Sequence, residues 1–217
     1  RKAQCIYATL SQKNVDYIVR NIGKYVYDNA ELLAKMTFED TGIGDFKDKI
    51  VKNQIKSSII WNHLNGKKSR GIIGEDSGKG LIYIAKPIGV VGVITPVTNP
   101  VVTPMCNVMF ALKCGNAVII APHPKGQRCT EHLVAAFMKI VLAQGGPDNL
   151  IQLIQNGSLE KTQALMRAVD VIVATGGGNM VKAAYSSGKP AFGVGPGNVP
   201  VIIDRRVNLI DAVAKIV

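Results

Sequence analysis

The sequence predicts an α/β protein with a parallel β-sheet covered by helices on both faces. Three observations support this fold class. Apolar runs of strand length alternate with helical runs from Ile88 onward, at the spacing of β-α-β units. The β-branched run Val171–Val173 stops at a glycine turn, Thr175–Gly178, and passes into a segment of helical character. The 22 glycines suit the tight turns that such a sheet requires.

The glycine turn is the first candidate site. A strand, a glycine turn and a helix in this order bring unpaired backbone N–H groups and a positive helix end to one point. Phosphate or pyrophosphate is the ligand that such a point holds well. The alternative interpretation is a helix start with a flexible turn. The segment that follows favours the first interpretation, because Gly188-Lys189-Pro190 ends the helix and two further short strands are predicted, Ala191–Val194 and Val199–Ile203.

Composition and charge limit the classes of partner and the cellular location that are expected for this protein. With 217 residues, 47% hydrophobic and 6% aromatic, the chain can bury a core of Val, Ile, Leu and Ala. The net charge of +11 favours anionic partners, but the basic residues are scattered and lack interleaved aromatics, so nucleic-acid binding is a minor alternative and is not predicted. Four cysteines without CxxC spacing, no signal peptide and no membrane-spanning run predict reduced thiols in a cytoplasmic protein without a membrane partner.

The first 65 residues are predicted to be helical. Ser11 is a suitable N-cap for a helix with one buried apolar stripe, and Asn29 starts a second helix that ends near Thr41-Gly42. A third helix runs from Phe46 and closes at Asn65-Gly66. The polar, glycine-rich stretch 66–80 is predicted to be a connecting loop.

The remaining strands and helices follow in alternation. The predicted strands before the glycine turn are Leu81–Ala85, Ile88–Ile94, Asn116–Ala121 and Leu150–Ile154. The predicted helices between them are Pro104–Lys113, Thr130–Ala143 and a helix that Ser158 caps and that runs to Arg167.

Three strand ends are rich in glycine, proline or small polar residues, as a cofactor cleft would be. They are Thr95–Pro100, Pro122–Lys125 and Thr175–Gly178. Ligands of parallel sheets bind at the carboxyl ends of the strands, so these segments are expected to meet in one site.

At these residues the sequence resembles the aldehyde dehydrogenases, and most of all the coenzyme-A-acylating branch that makes acyl-CoA from acetaldehyde, propionaldehyde, sulfoacetaldehyde or related aldehydes. The resemblance covers essentially the whole chain. Its most specific motifs are Pro87-Ile88-Gly89-Val90-Val91-Gly92, Thr95-Pro96-Val97-Thr98-Asn99-Pro100, Ala121-Pro122-His123-Pro124, Ala174-Thr175-Gly176-Gly177, Ala183-Ala184-Tyr185-Ser186-Ser187-Gly188-Lys189-Pro190 and Gly193-Val194-Gly195-Pro196-Gly197-Asn198.

The resemblance implies two units and a set of site residues. Residues 1–87 would hold helices and an oligomerisation-type hairpin, and residues 88–217 a Rossmann-like domain that binds NAD or NADP. The implied oxyanion donor is Asn99, with Thr98 as the position that aligns without gaps. The implied cofactor-binding residues are Thr95, Pro96, His123, Pro124, Lys125, Thr175, Gly176, Gly177, Val194 and Gly195; no metal site is implied.

Departures from the hydrolytic members of the family bear on chemistry. Those enzymes carry Lys-Pro-Ser-Glu at 121–124, so His123 and Lys125 are the nearest substitutes for the residues that hold the adenosine ribose. They also carry a glutamate general base where this chain has Val194. Without that base water is poorly activated, which leaves the acyl group to the thiol of coenzyme A as co-substrate.

The family's cysteine nucleophile would lie after the end of this chain. None of Cys5, Cys106, Cys114 and Cys129 occupies its position, and we expect them to be buried or idle thiols. The sequence therefore predicts a fragment: the cofactor-binding part of an enzyme, inactive alone, that acts on a small aldehyde as a homo-oligomer. A stand-alone nucleotide-binding module without catalysis is the alternative, and the choices of aldehyde and of NAD or NADP stay open.

Overall fold

The computed structural model describes residues 1–216. Its helices are α1 Lys2–Tyr7, α2 Gln12–Asp28, α3 Ala30–Thr41, α4 Phe46–Leu64, α5 Val102–Lys113, α6 Gln127–Ala143, α7 Leu159–Ala168, α8 Gly178–Tyr185 and α9 Leu209–Ile216. Its strands are β1 Gly71–Asp76, β2 Leu81–Ala85, β3 Val90–Ile94, β4 Ala117–Ala121, β5 Ile151–Leu153, β6 Val171–Thr175 and β7 Ala191–Val194.

The main sheet is parallel, as predicted, and holds five strands in the order β5-β4-β3-β6-β7. On one side β3 pairs with β4, and on the other side β3 pairs with β6, in a register that places Val91 between Val118 and Val171. The chain thus winds outward in both directions from the middle of the sheet. Such an order creates a switch point between β3 and β6, where the connections leave toward opposite faces and a crevice opens.

Helices cover both faces of this sheet. The helices pack on the strands of this sheet. With this strand order, the right-handed rule for β-α-β crossovers puts α5 and α6 on one face and α7 and α8 on the other. The contact with α7 is close because Gly92 in the middle of β3 has no side chain: a Cβ added there would lie 2.9 Å from Cγ2 of Val169. The fold class predicted from the sequence is confirmed.

The N-terminal helices form a layer outside α5 and α6. The Oγ of Ser11 accepts the N–H of Asn14 at 3.2 Å, which confirms the predicted N-cap of α2. The predicted stripe of α2 is fully buried, and Gly42 ends α3 at φ 63°, a left-handed conformation that glycine adopts without strain. The buried ammonium of Lys113 on α5 pairs with Asp16 on α2 and joins this layer to the sheet domain.

Two predicted segments were wrong. Residues 66–80 are not all loop, because Gly71–Asp76 forms β1 and pairs with β2 in an antiparallel hairpin. Its glycines and charges conceal a strand whose backbone groups are satisfied by β2. Val199–Ile203 was predicted to be a strand, yet it is irregular and pairs with no described strand. Its apolar side chains are exposed, Ile202 by 95%, so an apolar, β-branched composition was not sufficient to make this segment pair as a strand.

The start of β3 is set by the backbone conformation of the residue before it. The strand begins at Val90 rather than at Ile88, because Gly89 has φ 130° and interrupts the extended geometry. A Cβ at Gly89 would lie 2.3 Å from Oδ2 of Asp170, the carboxylate that accepts the N–H of Val90.

Within residues 1–216, every helix is too short or too polar to cross a bilayer.

Candidate functional site

A cavity of about 750 Å³ opens at the carboxyl ends of the parallel strands. Most of its wall comes from the segments that follow β3, β4, β6 and β7. The structure brings together all but one of the predicted site residues on this wall: Thr95, Pro96, Thr98, Asn99, His123, Pro124, Thr175, Gly176, Gly177, Val194 and Gly195. The exception is Lys125, whose exposed side chain lies outside the lining.

The glycine turn forms one side of the cavity. Gly177 is the N-cap of α8 and offers no capping side chain, so the N–H groups of the first helical turn lack the partner that a Ser or Asp would provide. Gly176 donates its N–H to the carbonyl of Val194 at 3.1 Å, which fixes the turn against the end of β7. A Cβ added at Gly176, Gly177 or Gly178 would meet nothing within 4 Å. The turn is held in place and open to a ligand.

Thr95 lies at the switch point. Its N–H donates to the carbonyl of Ala121 at 3.1 Å, which ties the ends of β3 and β4 together. The residue is only 3% exposed, and its Oγ1 has no hydrogen-bond partner among the described residues. A buried hydroxyl without a partner costs free energy, so a polar group of a ligand would stabilise it.

The turn after β4 presents His123. Its Nδ1 accepts the N–H of Lys125 at 3.2 Å and caps the short 3-10 helix Pro124–Gly126. Because Nδ1 is an acceptor, the neutral ring carries its proton on Nε2. Two prolines, Pro122 and Pro124, restrict the backbone on either side. The site thus holds an imidazole donor in a rigid turn at one end of the cavity.

Asn99 lines the cavity on the side of α5. Its Oδ1 accepts a hydrogen bond of 2.7 Å from Nζ of Lys52 on α4, and its Nδ2 lies 3.4 Å from Oγ1 of Thr98. Burial lowers the pKa of Lys52, and the charge of Lys56 lowers it further. Asn99 is half-buried, whereas Thr98 is exposed. Of the two predicted oxyanion candidates, only Asn99 has a side-chain amide, and Lys52 holds that amide by a hydrogen bond to its oxygen.

The four cysteines lie away from this cavity, and none of them lines it. Burial raises the pKa of the Cys106 and Cys129 thiols to about 11, which leaves little thiolate at neutral pH. Cys5 and Cys114 are exposed, so of the two predicted alternatives, buried or idle, burial does not apply to them. No three His, Cys, Asp or Glu side chains of the described chain are grouped so that they could hold a metal ion.

Part of the cavity wall was missed by sequence reasoning. Gly157, Ser158, Leu159 and Thr162 line it from the start of α7, and Met180 from α8. The strand-end rule could have found the first three, because β5 is a parallel strand and ends at Leu153, shortly before them. Leu159 and Met180 give this side of the cavity an apolar surface.

Comparison with known proteins agrees with this geometry. The sequence model of the aldehyde dehydrogenase family matches residues 1–217. The chain belongs to the aldehyde dehydrogenase family. It is 51% identical over 195 residues to a succinate-semialdehyde dehydrogenase (acetylating) of Clostridium kluyveri, covering 90% of this chain and 43% of the relative. It is 43% identical over 220 residues to a sulfoacetaldehyde dehydrogenase (acylating) of Cupriavidus necator, covering 100% of this chain and 44% of that relative.

Solved structures of family members share the fold. The crystal structure of an acetylating aldehyde dehydrogenase from Geobacillus thermoglucosidasius matches 98% of this chain and 48% of its own with a TM-score of 0.90 at 39% identity. A propionaldehyde dehydrogenase from Rhodopseudomonas palustris, solved with bound CoA and an acylated cysteine, matches 99% of this chain and 49% of its own with a TM-score of 0.81 at 34% identity. The chain spans about half the length of these aldehyde dehydrogenases.

Proposed function

We propose that the chain is the cofactor-binding part of an NAD(P)-dependent, CoA-acylating aldehyde dehydrogenase. One observation carries this proposal: the open glycine turn of Gly176 and Gly177 lines the same cavity as the buried Thr95, at the switch point of a parallel sheet. The relatives described above, whose names include acetylating and acylating dehydrogenases, support the assignment to this branch. Residues 1–87 and 88–217 are proposed as its two units.

The residues fit a dinucleotide. The pyrophosphate would accept hydrogen bonds from the first turn of α8 beside Gly176 and Gly177, where the helix dipole also favours an anion. The adenosine would lie near His123 and Pro124, where the Nε2 proton of the imidazole offers a donor. Thr95 Oγ1, which has no hydrogen-bond partner within residues 1–216, would gain one from the ligand. When bound, the nicotinamide supplies the hydride acceptor for oxidation of the aldehyde.

The chain's own residues would also act on the acyl group. The amide of Asn99 would donate from Nδ2 to the oxyanion that forms when the cysteine nucleophile of such an enzyme attacks the aldehyde. Val194 ends β7 on the cavity wall, is 57% exposed and has no group that can take a proton from water. The thioester would therefore persist until the thiol of coenzyme A takes the acyl group. We also propose that the cofactor binds in the Rossmann manner, that the enzyme is a homo-oligomer and that its substrate is a small aldehyde.

The test uses an extended enzyme, in which this chain is joined to the part of the Clostridium kluyveri relative that lies beyond the matched region. We expect the extended enzyme to reduce NAD or NADP with an aldehyde and coenzyme A, and to form acyl-CoA; acetaldehyde, propionaldehyde, succinate semialdehyde and sulfoacetaldehyde would be compared. The chain alone should give no reduction. CoA-dependent reduction by the chain alone, abolished by a thiol reagent, would contradict the proposal, as would oxidation by the extended enzyme that yields free acid without coenzyme A.

A further inference from the structure

The oxygen of the Asn99 side-chain amide accepts a hydrogen bond from a lysine of a helix that is distant in the sequence. Lys52 on α4 donates from Nζ to Oδ1 of Asn99 at 2.7 Å, across 47 positions of the sequence. The donor is half-buried and forms no ion pair with any described carboxylate. Nζ of Lys52 is therefore directed to an amide oxygen rather than to an acidic side chain.

This contact selects one orientation of the amide. An ammonium group can only donate, so it bonds the oxygen of the asparagine and not its nitrogen. The NH2 end is then turned away from Lys52, and the polarised amide is a stronger hydrogen-bond donor than a free one. Without the lysine, a rotation of the side-chain amide by about 180° would exchange acceptor and donor at little cost.

The backbone on either side of this contact is already fixed. Pro100 follows Asn99, its carbonyl lies 3.2 Å from the hydroxyl of Thr130, and its ring packs so closely on Gly126 that a Cβ there would lie 2.7 Å from Cβ of Pro100. On the other side, buried Asn53 donates to the carbonyl of Ala30 at 3.2 Å and anchors α4 on α3. The side-chain torsions of Asn99 are the freedom that remains for Lys52 to restrict.

We propose that Lys52 is a positioning residue that holds the Asn99 amide with its NH2 group toward the reacting carbonyl. This inference rests on the proposed role of Asn99 as oxyanion donor. Lys52 does not line the cavity; it acts through Asn99, by fixing the direction of the donor before the charge develops. Removal of the lysine should therefore lower kcat and leave the KM for the aldehyde nearly unchanged.

The variants are made in the extended enzyme. Lys52→Met should lower kcat about tenfold, a fraction of the hundredfold or greater loss expected when an oxyanion donor is removed outright, as in Asn99→Ala. Lys52→Arg keeps a charged donor and should restore kcat to within about threefold of the parent. Lys56→Met is the matched control, because it removes the same charge from an exposed position one turn further along α4; its kcat should equal that of the parent.

The decisive measurement is the double variant. If Lys52 acts through Asn99, Lys52→Met should have no further effect on kcat in the Asn99→Ala background. Losses that multiply in the double variant would overturn the proposal, and so would an unchanged kcat in Lys52→Met. An unchanged kcat in Asn99→Ala would instead show that the assigned oxyanion donor is wrong, and the role of Lys52 would fall with it. Far-UV circular dichroism and melting temperature of each variant separate these outcomes from misfolding.

Discussion

Replacing Thr95 with valine should strengthen the fold and weaken the site. Thr95→Val keeps the shape of the side chain and replaces Oγ1 by a methyl group. In the free chain that hydroxyl is buried and has no partner among the described residues, whereas the dinucleotide is proposed to supply one. The two measurements should therefore move in opposite directions.

Both magnitudes follow from hydrogen-bond energetics. A buried polar group without a partner costs about 1–3 kcal/mol, so the free energy of unfolding should rise by at least about 1 kcal/mol. A lost hydrogen bond to the ligand is worth about 0.5–1.5 kcal/mol, which corresponds to a dissociation constant raised about 2- to 13-fold.

Urea unfolding and calorimetric titration with NADH and NADPH measure the two effects. Thr130→Val is the matched control, because its buried hydroxyl lies 2.8 Å from the carbonyl of Gly126 and 3.2 Å from that of Pro100. This variant should lose about 1–2 kcal/mol of stability. A destabilised Thr95→Val would mean that Oγ1 is satisfied in the free chain. Unchanged affinity would mean that it does not face the dinucleotide.

Three further predictions concern the glycine turn, the packing at Gly92 and the choice of acyl acceptor. Gly177→Val should cost at most about 1 kcal/mol of stability, because a Cβ there meets nothing within 4 Å and only the preference of an N-cap for glycine over valine is lost. In calorimetry it should raise the dissociation constant of the dinucleotide about tenfold or more by crowding the phosphate. Gly92→Ala should cost about 1–3 kcal/mol in urea unfolding, because its Cβ would lie 2.9 Å from Cγ2 of Val169; full stability would refute this packing. In the extended enzyme, Val194→Glu should raise the ratio of free acid to acyl-CoA by up to about a hundredfold in product analysis; an unchanged ratio in a folded variant would exclude Val194 as the determinant.

The local features of this structure, its buried strands and helix caps, could be predicted from the sequence. The β-branched runs of β3 and β6 identify strands buried on both faces, and Ser158 is a helix cap whose Oγ accepts the N–H of Lys161 at 3.1 Å. Since the carboxyl ends of parallel strands meet at one edge, these elements also located most of the cavity wall.

Features that depend on a pairing or packing partner could not be predicted from local composition. β1 has the composition of a loop and is a strand because it pairs with β2; only the family resemblance implied a hairpin within residues 1–87. Val199–Ile203 has the composition of a strand and no described partner. The contact between Lys52 and Asn99 joins two segments that come together through the packing of α4 on α5. That Thr95 Oγ1 has no partner among the described residues is known only once all of its neighbours in the fold are placed.

Calorimetric titration of the purified chain with NADH and NADPH tests the central claim most directly. We expect at least one of the two to bind saturably at one site per chain, and Gly177→Val to weaken that binding while it lowers the melting temperature of the free chain by no more than about 4 °C. Absence of saturable heat for both dinucleotides at millimolar concentration, in a chain shown to be folded, would contradict the claim that this cavity is a dinucleotide site.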